Sequence, residues 1–247
     1  MTQEINPQLA LICGVSASGK SASLRNLTEQ DKWIYAITEA GKRCPFKNTF
    51  KNNGGYRITD PHQVIEAMDF ALNSAEIKGI IVDSITYLMG MYESQYVLTA
   101  PNTMSAWSGY QQFFKRMMQE KVAALPKPVL MTAHLADTLD ERAMEMKTAV
   151  PIKGALAKDG LESYFSTVVY CERKSLIDLE PYLHDNPLLT VTEDEQLDGF
   201  KYVYQTKLTT KSLGTRIRSP IGMFSRQETY MDNDAQLLLN RLTEFYG

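Results

Sequence analysis

Leu9-Ala10-Leu11-Ile12-Cys13-Gly14-Val15-Ser16-Ala17-Ser18-Gly19-Lys20-Ser21 decides the fold. Residues 9–13 are an apolar run of strand length closed by a glycine, the pattern of a buried strand. Residues 14–21 then satisfy G-x-x-x-x-G-K-[ST], a spacing met by chance on the order of once in a hundred chains of this size at ~7% glycine. Glycines let a backbone wrap phosphate oxygens, and successive N–H groups bind the anion. Gly14, Val15, Ser16, Ala17, Ser18 and Gly19 are thus candidate phosphate-cradling positions. Lys20 is placed to reach β- and γ-phosphates, and Ser21 to put its hydroxyl on Mg²⁺. Residues 21–30 are expected to continue as a short polar helix.

Outward from that loop the chain alternates. Residues 33–38 (WIYAIT) are aromatic and β-branched, a second strand. Residues 41–59 are basic and glycine-containing, read as a loop or hairpin. Asp60-Pro61 is a helix-start signal, and Val64, Ile65, Met68, Ala71 and Leu72 recur at helical spacing. Residues 80–82 are a third strand. Helical patterning from Ile85 breaks near Pro101 and resumes over 107–124. Residues 129–133 are a fourth strand, 135–160 a mobile loop with a short helix, 167–171 and 201–206 further strands, and 235–245 an amphipathic helix. Strand and helix in alternation predict an α/β fold, a mostly parallel twisted sheet flanked by helices, with antiparallel strands towards the C-terminus.

Composition narrows the class. The chain has 247 residues, 26 Lys+Arg against 29 Asp+Glu, 44% hydrophobic and 22% charged residues. That excludes bulk disorder and fits one domain over 1–247, with a core at about 8–225 and a terminal helix at about 234–245. No run approaches the ~20 apolar residues of a membrane span. Residues 1–7 are polar and include Glu4, so no secretory signal is expected, and a cytoplasmic location follows. Cys13, Cys44 and Cys171 are odd in number and show no metal-ligand spacing, so they read as reduced structural thiols. The net charge of −3 argues against coating DNA by bulk charge.

Three more positions carry chemistry. Asp83 ends the third strand in Ile80-Ile81-Val82-Asp83-Ser84, where a carboxylate supports the Mg²⁺ shell. Ser84 follows it, so a catalytic base must come from elsewhere; Glu39, at the end of the second strand, is the candidate water-activating group. His134 ends the fourth strand and should face the same crevice. Thr132 and Asp137 are less specific. Basic residues gather twice: Lys42, Arg43, Lys47, Lys51 and Arg57, then Lys207, Lys211, Arg216 and Arg218. Either set could contact DNA phosphates or a neighbouring subunit's nucleotide, or be an ordinary solvated face.

The set GVSASGKS, ITE, IIVDSIT and MTAH resembles the RecA-like branch of P-loop ATPases. It is most similar to small phage-encoded RecA-like ATP-binding proteins, some associated with single-strand annealing and recombination. Asp83-Ser84 is characteristic of that branch, whereas AAA+ ATPases usually carry Asp-Glu there. The resemblance implies ATP and Mg²⁺ as cofactors, held by Lys20, Ser21 and Asp83, with Glu39 activating water. His134 stands where such proteins commonly place a glutamine γ-phosphate sensor. Residues 135–160 and 89–108 match the positions of DNA-contacting loops. Single-stranded DNA, a homo-oligomeric ring or filament, and recombination or single-strand-binding proteins are the implied partners, with DNA-stimulated ATP hydrolysis in the host cytoplasm. A nucleotide kinase and a non-hydrolysing ATP-dependent loader or scaffold share the motif; the kinase would need an arginine-rich lid, and 135–160 holds only Arg142.

Overall fold

A computed structural model describes residues 6–39, 41–141 and 144–247, excepting the side chains of Asn53 and Asp140. Glu4 and Arg142 lie outside the described residues. Among the described residues ten strands form: β1 (Leu9–Gly14), β2 (Trp33–Ile37), β3 (Tyr56–Arg57), β4 (Gly79–Asp83), β5 (Val129–His134), β6 (Ala136–Asp140), β7 (Glu145–Ala149), β8 (Thr167–Ser175), β9 (Phe200–Gln205) and β10 (Tyr230–Asp232). Eight of them make one sheet in the order β10-β9-β8-β1-β5-β4-β2-β3. Pairing is parallel from β3 through β8, while β9 runs antiparallel to β8 and β10 antiparallel to β9. The expected α/β architecture with antiparallel C-terminal strands is therefore what forms.

The central strands are apolar throughout because both faces are covered. Leu11, Ile34, Ile80, Val82, Met131 and Val168 point to one face, under the helices α1 (His62–Asn73), α2 (Ile85–Tyr92) and α3 (Thr103–Arg116). Ile12, Trp33, Tyr35, Ile81, Leu130 and Val169 point to the other, under α4 (Ala235–Tyr246). The period of two thus splits one sequence run between two cores. Both α2 and α3 end in π-helical turns, at Glu93–Val97 and Met117–Val122.

Several sequence expectations need correction. The segment after Ser21 is a five-residue 3₁₀ turn, Ala22–Asn26, where a polar helix over 21–30 is expected. Ser23 Oγ donates to the Lys20 carbonyl at 2.6 Å, and Asn26 Nδ2 to Asp234 Oδ2 at 2.6 Å. Short polar side chains that bond locally or across the fold compete with a helical ladder. The basic segment is no hairpin: it contains a short helix at Lys51–Gly54 and then β3, which extends the sheet edge beside β2. Within 135–160, β6 pairs antiparallel with β7, and the short helix Leu156–Asp159 follows. β10 escapes a pattern reading because it is only three residues long.

Candidate active site

Register brings the site together. Gly14 at the end of β1 pairs with His134 at the end of β5, and Ile37 near the end of β2 pairs with Asp83 at the end of β4. Parallel strands put all four carboxyl ends on one edge, where open α/β sheets bind ligands. β5 separates β1 from β4, a placement that spacing along the chain does not reveal.

The phosphate loop follows β1. A Cβ on Gly14 would lie 2.2 Å from Ser18 Oγ and 2.6 Å from the Cys171 carbonyl, so only glycine fits. Gly19 has φ +95°, and its Cβ would meet Asn233 Nδ2 at 2.5 Å. Ala17 at the loop tip also takes a left-handed φ of 60°, a strain of about 1–2 kcal/mol for a residue with a Cβ. Val15, Ser16 and Ala17 are exposed, whereas Ser18 and Lys20 are buried. Lys20 Nζ curls under the loop and donates to the Gly14 and Val15 carbonyls, both at 2.8 Å. Burial draws its ammonium below the ordinary lysine value, with anionic neighbours including Asp83 and Glu39 opposing. The Cys171 thiol is pushed up to about 12 by burial and donates to the Ser18 carbonyl.

Asp83 is the hub. It is 1% exposed and has three hydroxyl donors. Ser21 Oγ and Tyr35 Oη reach Oδ2 at 2.8 and 2.7 Å, and Thr132 Oγ1 reaches Oδ1 at 2.5 Å. Such a buried carboxylate needs this set, since an unpaired one would cost several kcal/mol. Ser21 and Asp83 offer hard hydroxyl and carboxylate oxygens side by side, the donor chemistry Mg²⁺ takes. The pair fits a magnesium ion shared with nucleotide phosphates; among the described residues no cluster of three or more His, Cys, Asp or Glu forms a protein-only cage.

Glu39 lies across the crevice. Its Oε1 accepts from His134 Nε2 at 2.8 Å and its Oε2 pairs with Lys42 Nζ at 2.6 Å. Burial disfavours the ionised carboxyl, but these two partners outweigh it and hold Glu39 below its ordinary value. An ionised acceptor assigns the proton of that contact to His134 Nε2. The His134 ring also meets Tyr87 edge-to-face at 5.4 Å, and its backbone N–H donates to Thr86 Oγ1 at 2.9 Å.

A cavity of about 640 Å³ joins these groups, with residues 16–22, Glu39, Lys42 and His134 in its wall. Its wall also carries residues that sequence reasoning missed: Arg25, Glu195, Lys201, Tyr202 and Asn233. Tyr202 presents its ring beside Gly19, and Asn233 Nδ2 donates to the Gly19 carbonyl at 3.2 Å. Lys201 is buried between Glu195 and Asp232, at 2.6 and 3.2 Å. Only the alternation of β9 hints at these positions, and alternation does not tell a cavity wall from a solvated face.

The two basic clusters differ. Lys207 donates to the Phe224 carbonyl, Lys211 pairs with Asp178, Arg216 with the buried Glu162, and Arg218 reaches the Phe165 carbonyl. That second cluster therefore knits the end of the chain to β8 and the loops beside it. The aromatic residues Phe50 and Tyr204, near these clusters in sequence, are core. Arg43, Lys47, Lys51 and Arg57 in the first cluster are exposed.

A family model described as AAA domain matches residues 6–212. No curated protein matches the chain. Asp83-Ser84, in place of the Asp-Glu expected of AAA+ ATPases, does not keep the chain outside a family so named. No helix among the described residues is long and apolar enough to cross a membrane. Because the match spans every strand from β1 to β9, and with them every cavity-lining group except Asn233, the chain belongs to the AAA domain family of P-loop nucleotide-binding proteins.

Proposed function

We propose that the chain binds and hydrolyses ATP as a RecA-like ATPase of the kind small phage genomes encode, and that it acts on single-stranded DNA in recombination or annealing as a homo-oligomer. One observation carries the hydrolytic part. The strand-end Glu39, held by Lys42 and His134, faces the same cavity as Lys20 and the Ser21–Asp83 pair. That is the division of labour phosphoryl transfer to water requires, with phosphate positioning on one wall and a proton acceptor on the other.

In this reading the loop amides of residues 14–21 cradle the phosphates. Lys20 exchanges its two carbonyl partners for phosphate oxygens. Glu39 accepts the proton of the attacking water, and His134 keeps the carboxylate turned to the terminal phosphate. Ser21 and Asp83 would hold Mg²⁺, which supplies charge neutralisation on the phosphate oxygens when bound. Tyr202, whose ring lies beside Gly19, is the platform for the base. The RecA-like part is supported by His134 at the end of β5 and by the antiparallel β9 and β10 beyond β8. The experiment is phosphate release from ATP with and without single-stranded DNA, with Lys20→Ala as the control. Turnover that depends on Lys20 is expected; release equal in wild type and Lys20→Ala, or none in either, refutes the proposal.

A further inference from the structure

Lys42 also lines a second cleft, of about 570 Å³, whose wall holds no residue of the phosphate loop. Its wall includes Lys42, Arg43 and Arg57 with Asn48 and Asn52, and among the described residues no acidic side chain. Residues 40–59 hold five cations and no carboxylate at all. Among the described residues no carboxylate pairs with Arg43 or Arg57. Guanidinium and ammonium groups gathered without counter-charge repel one another unless an anion joins them. Paired guanidinium forks suit phosphate oxygens. Lys47 and Lys51, exposed on the same segment, continue the cationic row beyond the cleft, which favours a chain of phosphates over a single one.

Lys42 belongs to both sites. Its ammonium sits 2.6 Å from Glu39 Oε2, yet its side chain is 40% exposed and also lines the cationic cleft. A phosphate in the cleft and the Glu39 carboxylate therefore compete for one cation. We infer that this cleft binds the phosphodiester backbone of a single nucleic-acid strand, and that occupancy draws Lys42 from Glu39 and frees the carboxylate as a base. The coupling half rests on Glu39 acting in hydrolysis. Linkage then runs both ways: a strand that releases Glu39 binds better wherever Glu39 is already released. None of the second basic cluster lines this cleft.

The test measures anisotropy of a fluorescein-labelled oligo-dT on the full chain without nucleotide, beside ATP turnover. Arg43→Ala/Arg57→Ala should raise Kd on the order of tenfold or more. It should also flatten the log–log salt slope by about 1.4, for two phosphate contacts on a single strand. Arg226→Ala, which removes an exposed cation outside the cleft and outside residues 89–108 and 135–160, should change neither. Oligo-dT should raise wild-type turnover, and Lys42→Ala should start at the raised rate and gain nothing further. Equal oligo-dT affinity in the double variant and the Arg226→Ala control overturns the site. So does displacement of the strand by tripolyphosphate at equal phosphate concentration. Stimulation undiminished in Lys42→Ala overturns the coupling. Lys20→Ala separates the two readings: turnover that survives it removes the hydrolytic assignment, while the oligo-dT binding data still judge the cleft.

Discussion

Tyr35→Phe removes one hydroxyl from the buried support of Asp83 and leaves the ring in place. That hydroxyl donates to Asp83 Oδ2 at 2.7 Å, beside Ser21 on the same oxygen and Thr132 on the other. Burial and the adjoining Asp83 charge push the Tyr35 phenol far above its ordinary value, so it remains a neutral donor at any working pH. A hydrogen bond to a charged acceptor contributes roughly 1.5–3 kcal/mol. Phe retains all but one atom of the side chain, so cavity formation adds little. At about 2–4 °C per kcal/mol for a domain of this size, Tm should fall by roughly 3–12 °C. Urea unfolding followed through Trp33, on the same strand, reads the loss directly. In an Asp83→Asn background the acceptor is neutral, and the same substitution should cost only about 0.5–1.5 kcal/mol. A loss below about 0.5 kcal/mol, or an equal loss in both backgrounds, would refute the claim that the phenol holds the carboxylate.

Three further outcomes follow from the site. Glu39→Gln keeps the shape but not the basicity, so phosphate release should fall by about 10²–10⁴-fold while ATP binding persists; unchanged turnover would assign the base elsewhere. Glu39 is held below its ordinary 4.5, so it is ionised, and contributes stability, above that value and loses both only as pH falls through its lower folded pKa. Its acid limb in kcat/KM should accordingly lie below 4.5 and move upward in Lys42→Met; a limb indifferent to Lys42 contradicts the pairing. Tyr202→Ala should cost about 1–3 kcal/mol of base stacking, seen in calorimetry as weaker ATP binding with tripolyphosphate affinity retained. Equal losses for both ligands would mean that the ring does not meet the base.

Much of this was legible in the residues. The apolar run before Gly14, the invariant spacing of the phosphate loop, and strands closing on Glu39, Asp83 and His134 each rest on local pattern, and local pattern is what a sequence carries. The polar stretch after Ser21 was not legible as a 3₁₀ turn, because the bond from Asn26 to Asp234 spans nearly the whole chain. Nor was the hairpin of β6 and β7, whose Thr148 is anchored to Gly214 by a backbone bond at 3.0 Å. Thr132 looked unremarkable and Tyr35 looked like core. Both are core residues whose one polar atom is turned to the same carboxylate, and an apolar run conceals such an atom.

By itself the sequence determined that a phosphate loop follows a buried strand, that carboxylates end two further strands, and that five cations crowd 40–59 without an acid. Those facts follow from composition and spacing over a few residues. Only the tertiary structure decided that Lys42 stands between Glu39 and a cationic cleft, that the later basic residues are engaged within the fold, and that Tyr202 walls the cavity. The reason is geometric. Which groups share a carboxylate or a cation depends on strand order and on pairs far apart in the chain, and hydrogen bonds and ion pairs act over a few ångströms of space whatever their separation in sequence.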